Sequence, residues 1–170
     1  MAEPTLTELQ RTVLELFFTL PESEGFVLAG GAALVALGLS DRPTKDIDLF
    51  GADLALGISP ASDALEAACV ERGWTIERKR DTTTFRRLVV RRDPDELLVD
   101  LAVDSPPLGT PTITAVGPTY PPEELAARKV LALFDRAEPR SPLAAVTATC
   151  LGHLARLHGS LRNSRRVLET

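Results

Sequence analysis

Hydrophobic positions change their spacing along the chain, and each spacing predicts a different element of secondary structure. Over residues 6–20 they recur every three or four positions, which predicts an amphipathic helix capped by Thr5 or Thr7. Pro21 follows as a stop signal. Residues 26–29 then form a short apolar run, which is typical of a buried strand.

Two glycines, Gly30 and Gly31, follow this strand, and helical spacing resumes at residues 32–37. The glycines are therefore predicted to form a strand-to-helix turn. Backbone N–H groups at the start of a helix can bind a phosphate, and glycine lets the anion approach the backbone. The turn is thus a candidate nucleotide-binding element.

Residues 46–50 alternate between polar and apolar positions, which predicts a strand with Asp46 and Asp48 on one face. Neighbouring carboxylates repel each other, so burying them is costly unless a cation compensates their charge. Mg²⁺ prefers oxygen ligands and usually binds through one or two carboxylates and the phosphates of a substrate. Beside a phosphate-binding turn, this pair indicates metal-assisted phosphoryl or nucleotidyl transfer.

A third carboxylate is available on another predicted strand. Asp100 interrupts the otherwise apolar run 97–103, where an unpaired acid would be expensive to bury. A two-metal transfer site normally needs a third carboxylate to hold its ions roughly 3.5–4 Å apart. Asp100 is therefore the candidate third metal ligand. Asp104 shares its facing but lies beside Ser105 and is better interpreted as a strand-end cap.

The remaining patterns predict a mixed sheet with helices packed on it. A polar stretch at 79–84 is predicted to be a hairpin turn, and 117–122 a rigid connector. The other predicted elements are a helix at 59–72 with Ser59 at its cap, strands at 74–76, 85–91 and 113–116, and helices at 122–136 and 143–161. This order indicates an α/β (α+β) fold with a core at 1–120 and a short C-terminal helical segment at 121–170.

Composition excludes several classes of protein. With 44% hydrophobic and 25% charged residues, the chain has the composition of a globular domain. No apolar run reaches the roughly 20 residues that cross a bilayer, and the N-terminus lacks a signal-peptide pattern. Cys69 and Cys150 lack metal-ligand spacing and are expected to be reduced. We therefore expect a cytoplasmic protein without a membrane partner.

Charge is distributed unevenly along the chain. The net charge is −5, yet residues 72–92 carry eight Lys and Arg against two acids. Alternation places Arg87 and Arg91 on one face of a strand and Arg86 and Arg92 on the other. This segment is either a docking site for a phosphate backbone or a nucleotide triphosphate, or a set of solvated strand charges that prevent aggregation.

The glycine turn and the acidic pair together resemble a known signature. Gly30-Gly31, separated by fourteen residues from Asp46-Ile47-Asp48, resembles the polymerase-beta-like nucleotidyltransferase superfamily. The longer pattern, Leu-Ala-Gly-Gly-Ala-Ala-Leu at 28–34 and Arg-x-Thr-x-Asp-Ile-Asp-Leu-Phe at 42–50, is similar to the AbiEii-type toxins, which include the mycobacterial MenT group.

This resemblance implies a toxin of a toxin–antitoxin system that transfers NMP from an NTP to the 3′ end of tRNA. It implies Mg²⁺ held by Asp46, Asp48 and Asp100, blocked translation and an antitoxin partner. Residues 125–136 are similar to a second block of the family, which implies that Lys129 takes part in catalysis and binds nucleotide phosphates. By helical spacing, Arg136 shares its face and is a further nucleotide-binding candidate.

The chain departs from the family pattern after about residue 140. Ser141 and Ala144 stand where the family commonly has aspartates. Two alternatives therefore stay open: an enzyme that nucleotidylates a protein or small-molecule hydroxyl, and a degraded, non-catalytic toxin that only binds its antitoxin.

Overall fold

A mixed β-sheet dominates the described part of the chain. The computed structural model describes residues 6–52 and 57–135. The chain divides into two units, Met1–Leu125 and Ala126–Thr170. Within the described residues the helices are α1 (Glu8–Thr19), α2 (Gly30–Ala36), α3 (Ser59–Glu71) and α4 (Pro122–Asp135). The strands are β1 (Phe26–Ala29), β2 (Asp46–Gly51), β3 (Thr75–Asp81), β4 (Phe85–Arg92), β5 (Asp95–Val103), β6 (Thr112–Thr114) and β7 (Gly117–Thr119).

The strands of the described residues lie in the order β3-β4-β5-β2-β1-β7-β6. The pairs β2/β5 and β1/β7 are parallel, and the other neighbouring pairs are antiparallel. The parallel β2/β5 pair lies at the centre of the sheet, with β4 beside β5 and β1 beside β2, both antiparallel. The predicted mixed sheet flanked by helices is confirmed.

The hydrophobic core lies between one face of the sheet and helices α1 and α3. On β2 the inward positions are Ile47 and Leu49, both fully buried, and β5 adds Val99 and Leu101. From α1, Phe17 packs edge-on against the ring of Phe26 on β1. Because strand side chains alternate, Asp46 and Asp48 of β2 and Asp100 of β5 lie on the opposite face from this core.

The first helix begins with the polar contacts that its sequence predicts. Thr7 is the N-cap of α1: its hydroxyl accepts from the backbone N–H of Gln10 at 3.1 Å. The Gln10 side-chain oxygen accepts in return from the backbone N–H of Thr7 at 2.8 Å. This reciprocal capping box satisfies two helix-terminal donors and fixes Gln10 in a buried position.

The structure corrects several predicted boundaries. Helix α2 starts at Gly30 and not at residue 32, and α3 has Ile58 and not Ser59 at its N-cap. Strand β3 continues through residues 79–81, predicted as a turn, because Lys79 and Asp81 each pair with a side chain of opposite charge and the backbone pairs again with β4 after a shift of register at Lys79.

The predicted rigid connector also contains a strand. Residues 117–119 form β7, which pairs with β6 on one side and with β1 through Leu28 on the other. The helix predicted at 143–161 lies outside the described residues. Among the helices of 6–52 and 57–135, none combines the length and apolarity needed to cross a bilayer.

Candidate active site

Three carboxylates lie on one face of the sheet at the β2/β5 pair. Parallel pairing places Asp48 directly opposite Asp100, and Asp46 lies two residues before Asp48 on the same face. Asp100 is buried, whereas Asp46 and Asp48 are half-buried. Neighbouring strands bring together three acids that are separated by up to 54 positions in sequence.

Gly30 makes room for the carboxylate of Asp48. Its φ of 62° lies in the left-handed region, which glycine adopts without steric cost. A Cβ at this position would overlap the Asp48 side chain. Antiparallel pairing of Asp48 with Ala29 explains this contact, because it sets the carboxylate next to the residue that follows β1. The space that a Cβ would take at Gly30 therefore holds a side chain of the site.

Gly31 has a similar relation to Thr44. A Cβ on Gly31 would lie 2.8 Å from the Thr44 hydroxyl oxygen, closer than Cβ contacts in proteins allow. The Thr44 hydroxyl donates to Asp46 Oδ1 at 2.9 Å. Gln10 Nε2 donates to the Thr44 backbone carbonyl at 3.0 Å, so the capping residue of α1 also supports the loop before β2. Thr44 and Gln10 thus fix the orientation of Asp46.

Neither Thr44 nor Gln10 was assigned a role from the sequence. Thr44 belongs to the pattern at 42–50, and its hydroxyl two residues before Asp46 is the signal that could have identified it. Gln10 gives no comparable signal, because its link to Thr44 bridges 34 positions and depends on the fold.

Asp100 is paired with an arginine from the neighbouring strand. Arg87 lies opposite Asp100 in the β4/β5 register. Its Nε donates to Asp100 Oδ1 at 2.7 Å and its NH2 group donates to Oδ2 at 2.6 Å. The hydrogen bond to Asp100 raises the pKa of the Arg87 guanidinium above its ordinary value, and the charges of Asp46 and Asp48 act in the same direction. Arg87 is therefore a counter-ion of the acidic face, the side of the sheet that carries Asp46, Asp48 and Asp100.

The oxygen donors of this face fit a magnesium ion bound together with nucleotide phosphates. Asp46 and Asp48 would hold the ion, and Asp100 would join them once Arg87 releases its carboxylate. Across 6–52 and 57–135, no three carboxylate, imidazole or thiol groups are arranged to hold a metal by themselves. A magnesium ion here would therefore need ligands from the nucleotide or a movement of Asp100.

The remaining predicted site residues lie elsewhere in the chain. Lys129 is exposed on α4, in the second unit. Arg136 lies outside the described residues. Asp104 follows the end of β5, and its Oδ1 accepts from the backbone N–H of Ser105 at 2.7 Å, as expected of a strand-end cap.

The basic segment on β3 and β4 is largely neutralised by acids. Arg78 and Arg86 both bind Asp63, and Arg91 binds Glu77 and Glu96. Arg86 is buried on the α3 side of the sheet, so it is not part of a surface for nucleic acid. This segment is mainly an ionic connection between the hairpin and its neighbours, and Arg87 is its member at the acidic face.

The mixed sheet carries paired carboxylates on adjacent central strands beside a glycine turn, the set of features on which the resemblance to nucleotidyltransferases rests. Residues 13–141 match the family described as the nucleotidyl transferase AbiEii toxin of type IV toxin–antitoxin systems. The chain belongs to this family, which confirms the resemblance seen in the sequence.

Solved structures give the same fold. The chain is similar to JHP933 from Helicobacter pylori, with 20% identity and a TM-score of 0.55 over 80% of this chain and 62% of that one. It is also similar to a provisionally assigned nucleotidyltransferase from H. pylori, with 20% identity and a TM-score of 0.56 over 79% of this chain and 64% of that one. The chain thus spans less than two thirds of each of these proteins. No curated protein matches it in sequence.

Proposed function

We propose that this protein is a Mg²⁺-dependent toxin that transfers NMP from an NTP to the 3′ end of tRNA and thereby blocks translation. Membership of the AbiEii toxin family supports nucleotidyl transfer and an antitoxin partner. The observation that carries the proposal is the pairing of Asp48 with Asp100 in the β2/β5 register, with Asp46 on the same face. A tRNA acceptor and a MenT-like activity follow from the resemblance alone.

The proposed reaction breaks a phosphoanhydride bond of the NTP and forms a phosphodiester bond to the acceptor. An acceptor hydroxyl oxygen attacks the α-phosphorus of the NTP and forms the new bond, while the bond to the bridging oxygen breaks and pyrophosphate leaves. A carboxylate of the acidic face takes the hydroxyl proton. Magnesium, when bound, would supply positive charge that neutralises the phosphate oxygens as negative charge develops on them.

The chain's own residues have distinct tasks in this reaction. Asp46 and Asp48 would hold the metal ion and with it the triphosphate, and the Thr44 hydroxyl holds Asp46 in place at 2.9 Å. The backbone N–H groups at Gly30 and Gly31 bind the phosphates at the start of α2, while the sides of the two glycines that lack a Cβ face Asp48 and Thr44. Lys129 keeps the phosphate-binding role that the family resemblance implies.

The test is transfer of a labelled nucleotide by the purified protein. Each α-labelled NTP is incubated with total tRNA, with total cell protein or with small-molecule hydroxyl acceptors, in the presence of Mg²⁺ or EDTA. We expect label on tRNA from one preferred NTP, dependent on Mg²⁺. Label on protein or on a small molecule instead would assign the reaction to that alternative acceptor.

Two matched variants show whether transfer depends on the acidic face or on any loss of one negative charge. Asp48→Asn should abolish transfer and the growth arrest caused by expression, whereas Asp41→Asn, an exposed acid in the loop before β2, should leave both intact. Absence of growth arrest and of Mg²⁺-dependent NTP turnover in the unmodified protein would favour the degraded toxin that only binds its antitoxin.

A further inference from the structure

Asp100 has a partner that competes with any metal ion. Both of its carboxylate oxygens accept from Arg87, at 2.7 and 2.6 Å, in a bidentate geometry. Such paired, charge-assisted hydrogen bonds are among the strongest polar contacts in proteins. A cation that binds through Asp100 must replace at least one of them. The Arg87–Asp100 pair therefore determines whether Asp100 is available to bind a cation.

The two partners differ in their freedom to move. The Asp100 side chain is 9% exposed and fixed on a central strand, whereas the Arg87 side chain is 45% exposed. Arginine has a long side chain that can turn about several bonds, and it binds phosphate as well as carboxylate in a bidentate manner. Arg87 is thus the partner that can leave, and phosphate is a ligand that it can take.

A neighbouring ring gives the guanidinium a second contact. The Arg87 Cζ lies 5.8 Å from the centre of the Phe85 ring, within the range of a cation–π interaction. This contact is independent of Asp100, so Arg87 would keep a neighbour after the carboxylate pair breaks.

Charge on this face also favours an exchange. The Arg87 guanidinium interacts with the charges of Asp46, Asp48 and Asp100, so this face combines positive and negative groups that a cation and a phosphate can each pair with. A divalent cation that binds with a nucleotide brings positive charge to the acids and negative charge to the arginine at the same time. In a single binding event Asp100 therefore gains the cation as a partner, and Arg87 gains a phosphate.

We propose that Arg87 is a positioning residue that holds Asp100 before substrate binds and moves to the nucleotide phosphates when a divalent cation takes Asp100. This inference rests on the proposed function. It assigns to Arg87 two opposite effects: it weakens binding of a cation alone and strengthens binding of the cation–nucleotide complex.

The test measures both affinities in Arg87→Gln, by titration calorimetry with Mn²⁺ alone and then with a non-hydrolysable NTP analogue in saturating Mn²⁺. We expect Mn²⁺ alone to bind about tenfold tighter and the analogue about tenfold weaker, the size of one charge-assisted contact in each case. Arg87→Lys keeps the charge without the bidentate geometry, so it should recover most of the affinity for the analogue.

Arg91→Gln is the matched control. Arg91 lies on the same strand with the same facing but pairs with Glu77 and Glu96, so both affinities should stay at the wild-type value. Melting temperatures of all variants show whether folding is retained. A purely structural role for Arg87 would lower the melting temperature and would not move the two affinities in opposite directions.

Three outcomes would overturn the inference: Arg87→Gln binds Mn²⁺ no tighter than wild type, it binds the analogue equally well, or neither protein binds Mn²⁺. Loss of this inference is distinct from loss of the proposed function. Transfer activity that requires Asp48, with unchanged affinities in Arg87→Gln, refutes the exchange alone. Opposite shifts in a protein that transfers no nucleotide refute the proposed function alone.

Discussion

Single side chains set the geometry of the acidic face, and Thr44 is the most direct test. Replacing Thr44 with Val removes the hydroxyl that donates to Asp46 Oδ1 and leaves the volume almost unchanged. We expect initial rates of nucleotide transfer to fall by about ten- to a hundredfold, because a hydrogen bond to a charged group contributes about 1.5–3 kcal/mol. Thr44→Ser should retain most of the activity. Equal rates in the two variants would show that the hydroxyl does not orient Asp46.

Gly30 offers a second test at the same scale, with a matched control in the next loop. Gly30 and Gly38 have nearly the same φ, 62° and 67°, but a Cβ meets the Asp48 side chain at Gly30 and open space at Gly38. Each Ala variant should lose about 1–2 kcal/mol of folding stability in urea titrations, because both force an L residue into the left-handed region.

Only Gly30→Ala should also displace Asp48, so we expect its transfer activity to fall at least about a hundredfold, the cost of a misplaced catalytic group. The activity of Gly38→Ala should stay near wild type. If both variants lose activity equally, backbone strain and not the position of Asp48 is responsible.

At this scale the sequence predicted the acids better than their surroundings. Alternation placed Asp46 and Asp48 on one face, and the cost of a buried acid identified Asp100 as exceptional. The contact between Gly30 and Asp48 depends on how β1 pairs with β2, which the local pattern does not contain. The partner of Asp100 likewise depends on the β4/β5 register. Contacts set by strand pairing are therefore visible only in the fold.

Between elements, Arg86 joins β4 to α3 and to β3. Its guanidinium is buried and binds Asp63 and Asp81, each at 2.8 Å, with Ser59 at 3.3 Å. Arg86→Gln should lower the free energy of unfolding at pH 7 by about 1–3 kcal/mol, because hydrogen bonds to charged groups are lost. Arg80→Gln on β3, where the exposed guanidinium lies over the Phe85 ring, should change it by less than about 0.5 kcal/mol. Equal losses would contradict this assignment.

The same ionic contacts should make stability depend on acid pH. The hydrogen bond from Arg86 holds the pKa of Asp81 below its ordinary value of 3.8. A lowered native pKa means that this contribution is fully present above about pH 4 and is lost as the pH falls through the native pKa. In urea titrations from pH 7 to pH 2, the stability difference between wild type and Arg86→Gln should therefore shrink only below pH 4. A constant difference would separate Arg86 from the titration of Asp81.

Elements with strong periodicity could be predicted, and those supported by distant partners could not. Strand β1 and the start of β2 agree with the apolar run and the alternation. The end of β3 was missed because residues 79–81 are charged, and such residues favour a turn unless partners fix them. Strand β7 was missed because Pro118 lacks a backbone N–H, and its pairing through Gly117 and Thr119 is decided by tertiary contacts.

At the scale of the whole molecule, the first unit is stabilised by one core, and Cys69 reports on its opening. Cys69 is fully buried on α3, and burial raises the pKa of its thiol to about 11. In a Cys150→Ser background, a disulfide reagent at pH 8 should therefore modify Cys69 only through unfolding, at a rate that rises with urea.

Val70→Cys in a background without Cys69 and Cys150 is the control, because Val70 is the next residue and is 61% exposed. That variant should react at least about a thousandfold faster, because an exposed thiol needs no opening whereas a buried one needs the full free energy of unfolding. Similar rates at both positions would mean that α3 detaches from the sheet without unfolding of the core.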